Sequence, residues 1–338
     1  MQRCLELAAL GKGSTHPNPM VGSVIIHNGQ IIGEGWHHKA GEPHAEVNAI
    51  ESVQNRKLLK ESTIYVSLEP CAHFGKTPPC SLRIIEEGIP HVVVATVDPH
   101  SAVAGKGIEM LRDKGVKVEV GILEKEAREL NAPFFTFHKE KRPYVTLKMA
   151  VSSDGFLAPD PNTREANEPA WITGYRSKQK VHKLRSEVDA ILVGGKTIVM
   201  DNPSLTTRLW PGKSPQRIIW TNRPIDGRNT VMNDGNSTWI VGPHASEYGY
   251  ESPIETWNTN TAIELLHELF ERNITHVLVE GGASTIQKFL EDEVWDEAWV
   301  LNGKVAFESG IKAPVLDSAR KVEEFQVEDD LWQRFERL

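Results

Sequence analysis

The spacing of apolar and polar positions changes period repeatedly along the chain, and each change marks a short element. Leu5, Ala8 and Ala9 share one face of a predicted helix over 2–9, with Cys4 as core filler. Strand-like runs at 21–26 and 30–34 flank Asn28-Gly29, a pair that accepts the positive φ angles of a tight hairpin turn. A helix is predicted over 44–51, with His44 in its first turn. The run 64–68 is a short buried strand that delivers Glu69-Pro70-Cys71 at its end. Cys80 opens another helix, through Ile84 and Ile85 to Glu87, which Gly88 closes. A strand over 92–97, a helix over 107–114, a strand over 116–120 and a helix over 123–130 complete this part.

His138-Lys139-Glu140-Lys141-Arg142-Pro143 is polar, and its proline disfavours helix before it, so the boundary is placed there. Two domains, 1–141 and 142–338, suit a chain of 338 residues better than one core. The second begins with a strand over 144–150, a turn at Ser152-Ser153-Asp154-Gly155 and a loop over 158–169. A helix over 176–185, a buried strand over 190–194 and strands over 216–220 and 238–241 follow. An amphipathic helix over 261–271 precedes a strand over 275–280, which runs into Gly281-Gly282 and a helix over 284–290. Strands alternating with helices in both halves mean layered α/β sheets, in which strand ends meet helix starts.

Composition adds exclusions. With 39% hydrophobic and 25% charged residues, no apolar run is long enough to cross a bilayer, and the first ten residues do not read as a signal peptide. The expected location is cytoplasmic. A formal net charge of −8 argues against nucleic acid as a partner but leaves room for a small phosphorylated substrate. Three cysteines in a reducing compartment favour metal binding or burial over a disulfide framework. Eight of nine tryptophans lie in the second half, and of these only Trp171, among polar neighbours, is held as a site candidate.

The cysteines fall where chemistry is concentrated. Pro43-His44-Ala45-Glu46 and Glu69-Pro70-Cys71, with Cys80 after an eight-residue loop, supply one His and two Cys, a set that leaves a fourth zinc position for water. Cys80 at a helix start also gains from the positive end of the helix dipole. The pattern resembles that of zinc-dependent nucleobase deaminases. In such a site zinc brings the pKa of its water to about 7, and Glu46 handles the protons. A structural zinc knot with His73 as fourth ligand and a Cys71–Cys80 disulfide remain as alternatives. A transfer-RNA deaminase is disfavoured by the long loop and the acidic charge.

Longer strings carry a more specific resemblance. Thr15-His16-Pro17-Asn18-Pro19-Met20-Val21-Gly22, Gly35-Trp36-His37, Pro43-His44-Ala45-Glu46 and the run from Pro70-Cys71 through Ala72-His73-Phe74-Gly75-Lys76-Thr77-Pro78-Pro79 to Cys80 occur in the first half. Arg142-Pro143-Tyr144-Val145-Thr146-Leu147-Lys148-Met149-Ala150, Trp171-Ile172-Thr173, His182-Lys183-Leu184-Arg185, Asp201-Asn202-Pro203-Ser204-Leu205-Thr206-Thr207-Arg208 and Val279-Glu280-Gly281-Gly282 occur in the second. Over essentially its whole length the chain is similar to the bifunctional riboflavin-biosynthesis family, a pyrimidine deaminase fused to a reductase. The resemblance implies a cytidine-deaminase-like three-layer α/β domain followed by a dihydrofolate-reductase-like α/β domain. It implies zinc on His44, Cys71 and Cys80, Glu46 as proton donor, and substrate contacts from Asn18, His37, His73, Lys76 and Thr77. In the reductase half it implies NADPH on Ala150, Trp171, Thr197, Asp201 and the segment Gly282, Ala283, Ser284 and Thr285. Arg185, Leu205, Arg208 and Glu280 are implied for substrate, and a homo-oligomer through the reductase domain is expected. The implied reaction hydrolyses the 2-amino group of a diamino-ribosylamino-pyrimidinone phosphate and then reduces its ribosyl chain to ribityl. Phe156 and Pro169 depart from the family pattern, in which a Lys or Arg is usual at the first position and a substrate-contacting serine common at the second. A deaminase with an inactive scaffold half and a zinc-stabilised nucleotide sensor are the rival readings.

Overall fold

Asn28 and Gly29 take φ of 48° and 76°, and the turn they make folds strand β1 (Gly22–His27) against β2 (Gln30–Trp36). The computed structural model describes residues 1–74, 78–100, 104–164, 168–251 and 253–338. It divides into two compact units, Met1–Lys141 and Arg142–Leu338.

In the first unit β1 also pairs antiparallel with β3 (Thr63–Val66). β3 runs parallel to β4 (His91–Val94), and β4 to β5 (Lys117–Val120), giving the order β2-β1-β3-β4-β5. The helices are α1 (Gln2–Ala9), α2 (Ala45–Glu51), α3 (Cys80–Glu86), α4 (Lys106–Asp113), α5 (Glu124–Leu130) and α6 (Ala132–Glu140). Alternation along β1 sends Ile25 into a core with Ile50, Ile84 and Leu111 from α2, α3 and α4. Val24 points the other way, to Cys4 and Leu7 of α1. The unit is therefore a three-layer sandwich. Cys4 is indeed filler: it is fully buried, and burial pushes its thiol up to about 12.

Several sequence expectations need correction. His44 is the N-cap of α2 with extended ψ of 164°, not part of its first turn. The polar stretch from His138 continues α6 to Glu140, because Phe135 and Phe137 are buried and hold that helix to the unit. Strands β3 and β4 stop short of Leu68 and Val97, since the chain there turns into loops.

The second unit opens with β6 (Tyr144–Val151), β7 (Phe156–Pro159) and α7 (Tyr175–Ser186). Next come β8 (Ala190–Gly194), α8 (Gly195–Asp201), β9 (Gln216–Trp220), α9 (Thr230–Asn233), β10 (Thr238–Gly242) and β11 (Ile254–Asn258). Then α10 (Ala262–Glu271), β12 (His276–Glu280), α11 (Ala283–Glu291) and β13 (Glu297–Asn302) follow. The end is all strand: β14 (Gly310–Lys312), β15 (Ala319–Val327) and β16 (Asp330–Arg337). The main sheet has the order β11-β10-β9-β8-β12-β6-β13-β16-β15, parallel as far as β13 and antiparallel beyond it. The expected loop over 158–169 contains the end of β7, which pairs with β14, and a short 3-10 turn at Pro161–Thr163.

One topological point positions a site. β8 and β12 are neighbours, yet β8 leads through α8 toward β9 while β12 leads through α11 toward β13 on the other side. Their helices pack on opposite sheet faces, Ile198 of α8 with Ile191 and Val193, and Ile286 and Phe289 of α11 with Leu192 and Val279. Such a switch point leaves a crevice at the carboxyl ends of the two strands. Among the described residues no helix is long and apolar enough to cross a membrane.

Candidate functional site

The first cluster forms where β3 ends and α2 and α3 begin. Among the described residues His44, Cys71 and Cys80 alone form a metal-capable group, their ligand atoms within 4.8 Å of one another. His44 Nδ1 lies 3.7 Å from Cys71 Sγ and 3.3 Å from Cys80 Sγ. A tetrahedral zinc with ordinary bond lengths separates such N and S ligands by about 3.5 Å, so the donor set and its spacing fit zinc. All three cysteines are free thiols, which removes the disulfide reading, and His73, an exposed residue, is outside the group.

The backbone holds these ligands from behind. The Cys80 N–H donates to Cys71 Sγ at 3.3 Å, and Ser81 Oγ donates to the Cys71 carbonyl at 2.9 Å. The Pro43 carbonyl, next to His44, accepts from His37 Nδ1 at 3.1 Å and from the Asn48 amide at 3.3 Å. Since a carbonyl only accepts, His37 carries its hydrogen on Nδ1, and Nε2 is left to face the Asn18 amide at 3.1 Å. Burial lowers the His37 pKa, in keeping with that neutral form.

Electrostatics sort the protons. The hydrogen bond from Cys80, together with His44, pulls the Cys71 thiol down to about 4. The hydrogen bond with Cys71 and burial push Cys80 well up. The contact with Cys71 raises His44 to about 9. Glu46 is 3% exposed, and burial pushes its carboxyl up to about 7, with Cys71 adding to the rise and His44 opposing it. A carboxyl titrating near neutrality beside three ligand atoms is suited to both accepting and returning a proton.

Glu69 stands two residues before Cys71, a position to which the residue pattern assigned no role. Its buried carboxylate accepts four backbone N–H groups, from Asp98 and Gly105 on one oxygen and Gly107 and Ile108 on the other. Position 107 must be glycine, because a Cβ there would stand 1.9 Å from the Pro70 carbonyl oxygen. Lys76 and Thr77, expected to contact substrate, lie outside the described residues.

The second cluster lies at the carboxyl end of β12. Glu280 is 8% exposed and takes a two-pronged contact from Arg185, Nε at 2.7 Å and Nη2 at 2.9 Å. Lys148, its register partner on β6, stands 3.5 Å away. Burial alone would raise the Glu280 carboxyl, but Arg185 and then Lys148 outweigh it and hold it at about 2. Arg185 Nη1 also reaches the Thr206 carbonyl at 3.3 Å. Arg208 donates its backbone N–H to His182 Nδ1 at 3.0 Å and its guanidinium to Ser204 Oγ at 2.6 Å. Leu205 between them is buried with φ of 55°. The signal for Lys148 was a lone cation at an alternating position of an apolar strand; His182 gave no signal beyond its helical spacing to Arg185.

Beside it, the switch-point crevice has a cradle without side chains. Gly282 is the N-cap of α11, so the first N–H groups of that helix are free to face a ligand anion. A Cβ on Gly194 would stand 2.4 Å from Thr285 Oγ1, and one on Gly282 would lie 3.6 Å from Thr197 Oγ1. Gly282 thus lies beside Thr197 and Gly194 beside Thr285 around the start of α11, a helix N-terminus of the kind that suits a cofactor phosphate. Asp201, at the other end of α8, instead pairs with Arg164, and exposed Trp171 carries Lys178 on its ring. Ala150 lies near the end of β6.

Residues 1–96 match the cytidine and deoxycytidylate deaminase zinc-binding region, and residues 143–303 match the RibD C-terminal domain. The riboflavin biosynthesis protein RibD of Aquifex aeolicus is 42% identical over 309 residues, covering 88% of this chain and 83% of that one. The Escherichia coli protein of the same name is 34% identical, covering 88% and 84%. Among solved structures, Acinetobacter baumannii RibD superposes with a TM-score of 0.89 at 32% identity, over 100% of this chain and 97% of that one. The Thermotoga maritima structure described as a diaminohydroxyphosphoribosylaminopyrimidine deaminase/5-amino-6-(5-phosphoribosylamino)uracil reductase does so with 0.88 at 34%, over 100% and 97%. Likeness on this scale, with both family models falling on the chain in the order of the two clusters, places it plainly: the chain belongs to the RibD family of riboflavin biosynthesis proteins.

Proposed function

We propose that the chain carries out two steps of riboflavin biosynthesis, deamination in the first unit and reduction in the second. The substrate is a diamino-ribosylamino-pyrimidinone phosphate, whose 2-amino group is hydrolysed before its ribosyl chain is reduced to ribityl. The observation that carries the reading is the zinc-spaced set His44, Cys71 and Cys80 with buried Glu46 beside it. Zinc supplies the Lewis acidity that makes a water nucleophilic near neutral pH. Glu46 would move two protons in turn, the first from the attacking water to the ring nitrogen and the second from the hydroxyl so formed to the departing amine, which leaves as ammonia. His37, held in one tautomer, keeps the Asn18 amide in place for the pyrimidine.

In the second unit NADPH supplies the hydride, with the α11 N-terminus and the glycine cradle supporting its phosphate. Glu280, fixed by Arg185 and Lys148, presents an ionised carboxylate to the sugar hydroxyls. Cytoplasmic location and homo-oligomerisation through the reductase unit belong to the same reading. Chelating zinc and assaying both reactions tests it. Ammonia release is lost while NADPH oxidation with the deaminated intermediate continues; loss of neither refutes the assignment of the metal centre, and absence of NADPH oxidation in untreated enzyme refutes the reductase.

A further inference from the structure

Thr197 and Asp201 stand four positions apart on α8, so both lie on one face of that helix, one turn from each other. Thr197 Oγ1 is 3.6 Å from where a Cβ on Gly282 would stand, and this face therefore looks onto the start of α11. Asp201, one turn farther along, does not stand alone. Arg164, from the loop after β7, sets Nη2 against Asp201 Oδ1, against the Met200 carbonyl at 2.9 Å and against the Glu168 carbonyl at 2.8 Å. The Arg164 side chain is 11% exposed and that of Asp201 34%, so the pair is open on the carboxylate side. A cation here also complements the negative end of the α8 dipole, which accounts for the Met200 contact. It does not account for the rest of the guanidinium. Nε is buried with no acceptor among the described residues, and the contacts to Asp201, Met200 and Glu168 leave Nη1 unused. In dinucleotide sites a carboxylate takes a free ribose 2′-hydroxyl, whereas a nearby arginine accommodates a 2′-phosphate. Alone, Asp201 would repel that phosphate; with Arg164 on it, its charge is offset and unused donors stand beside it.

We propose that Arg164 is the residue that sets cofactor choice in the reductase unit: paired with Asp201, it makes this end of α8 accept a dinucleotide bearing a 2′-phosphate and disfavour one with a free 2′-hydroxyl. The proposal rests on the reductase reading and adds to it a residue that none of the family-like sequence strings contains. The pair acts twice. Arg164 offsets the carboxylate that would repel the phosphate, and it occupies the carboxylate oxygen that would otherwise take the hydroxyl.

Arg164→Ala and Arg164→Lys, made in the full chain with zinc present, test it by calorimetric titration with NADP⁺ and with NAD⁺, which reads binding without turnover. In Arg164→Ala the Kd for NADP⁺ rises about tenfold to a hundredfold, the loss of a charge-assisted contact, while that for NAD⁺ stays or falls. Retained NAD⁺ binding shows that the unit is folded. Arg164→Lys keeps the cation with fewer donors, so its preference for NADP⁺ lies between those of wild type and alanine. Where alanine unfolds the unit, the lysine variant decides: a reduced NADP⁺ preference supports the proposal, and the wild-type ratio overturns it. In a folded alanine variant, equal weakening of both dinucleotides means that Arg164 only fastens its loop to α8, and overturns it. Tighter binding of both means that Arg164 covers the site, and unchanged NADP⁺ binding means that it takes no part; either result also overturns the proposal. A wild-type protein that binds neither dinucleotide refutes the reductase reading itself, an outcome distinct from a variant that binds NADP⁺ as well as wild type does.

Discussion

Replacing Arg185 with leucine isolates the electrostatics of the β12 cluster. In the native protein the Glu280 carboxyl sits at about 2 against an ordinary 4.5. That difference corresponds to about 3 kcal/mol of stability. Because the folded-state value lies below the unfolded one, the contribution is complete above about pH 4.5 and fades as pH falls toward 2. Leucine removes the partner that offsets burial and leaves Lys148 alone at 3.5 Å. Stripping one member from a buried pair costs about 3–5 kcal/mol at neutral pH. The Glu280 carboxyl then titrates higher, so the acid-side rise of stability with pH flattens. Urea unfolding of both proteins between pH 3 and 8, followed by far-ultraviolet circular dichroism, reads both effects. The double variant Arg185→Leu with Glu280→Gln recovers part of the loss, since no unpaired charge remains. A loss below about 1 kcal/mol at pH 7 with the native pH slope retained would falsify this account.

Further outcomes follow from the first unit. Glu46→Gln keeps stoichiometric zinc by elemental analysis but slows ammonia release by a factor of about 10² to 10⁴, the range of a lost general acid–base; wild-type turnover in that variant would be fatal to the assignment. Glu69→Gln turns its amide nitrogen toward two of the four N–H donors and leaves them unpaired. The expected cost is about 2–6 kcal/mol, seen as a lower denaturant midpoint and earlier zinc release, and a midpoint like that of wild type argues against the clamp.

Much of the architecture was legible in the residues because it is written in local chemistry. Asn28-Gly29 announces its hairpin, and an apolar run ending at Glu69-Pro70-Cys71 announces a strand end beside a helix start. The C-terminal strands were not legible. β15 is an edge strand whose Arg320, Lys321, Glu323 and Glu324 face water, so it lacks the apolar alternation that marks a half-buried strand. The ligand types at the first cluster could be read from their spacing. The pairing of Lys148 with Glu280 could not, since it depends on β12 inserting between β6 and β8, a register set by tertiary packing over 132 residues of separation.

The contact between Gly107 and Pro70 has a consequence for how this site can change over generations. With a Cβ excluded at 107 and the Glu69 carboxylate filled by its four donors, the backbone at Asp98, Gly105, Gly107 and Ile108 is pinned to the chain that carries Cys71. Glu69 and Gly107 form a ratchet in the mutational sense: neither changes first without loss, and no one-step neighbour offers another path. Change around Cys71 is therefore open to side-chain replacement away from these pinned positions and costly at the pins themselves.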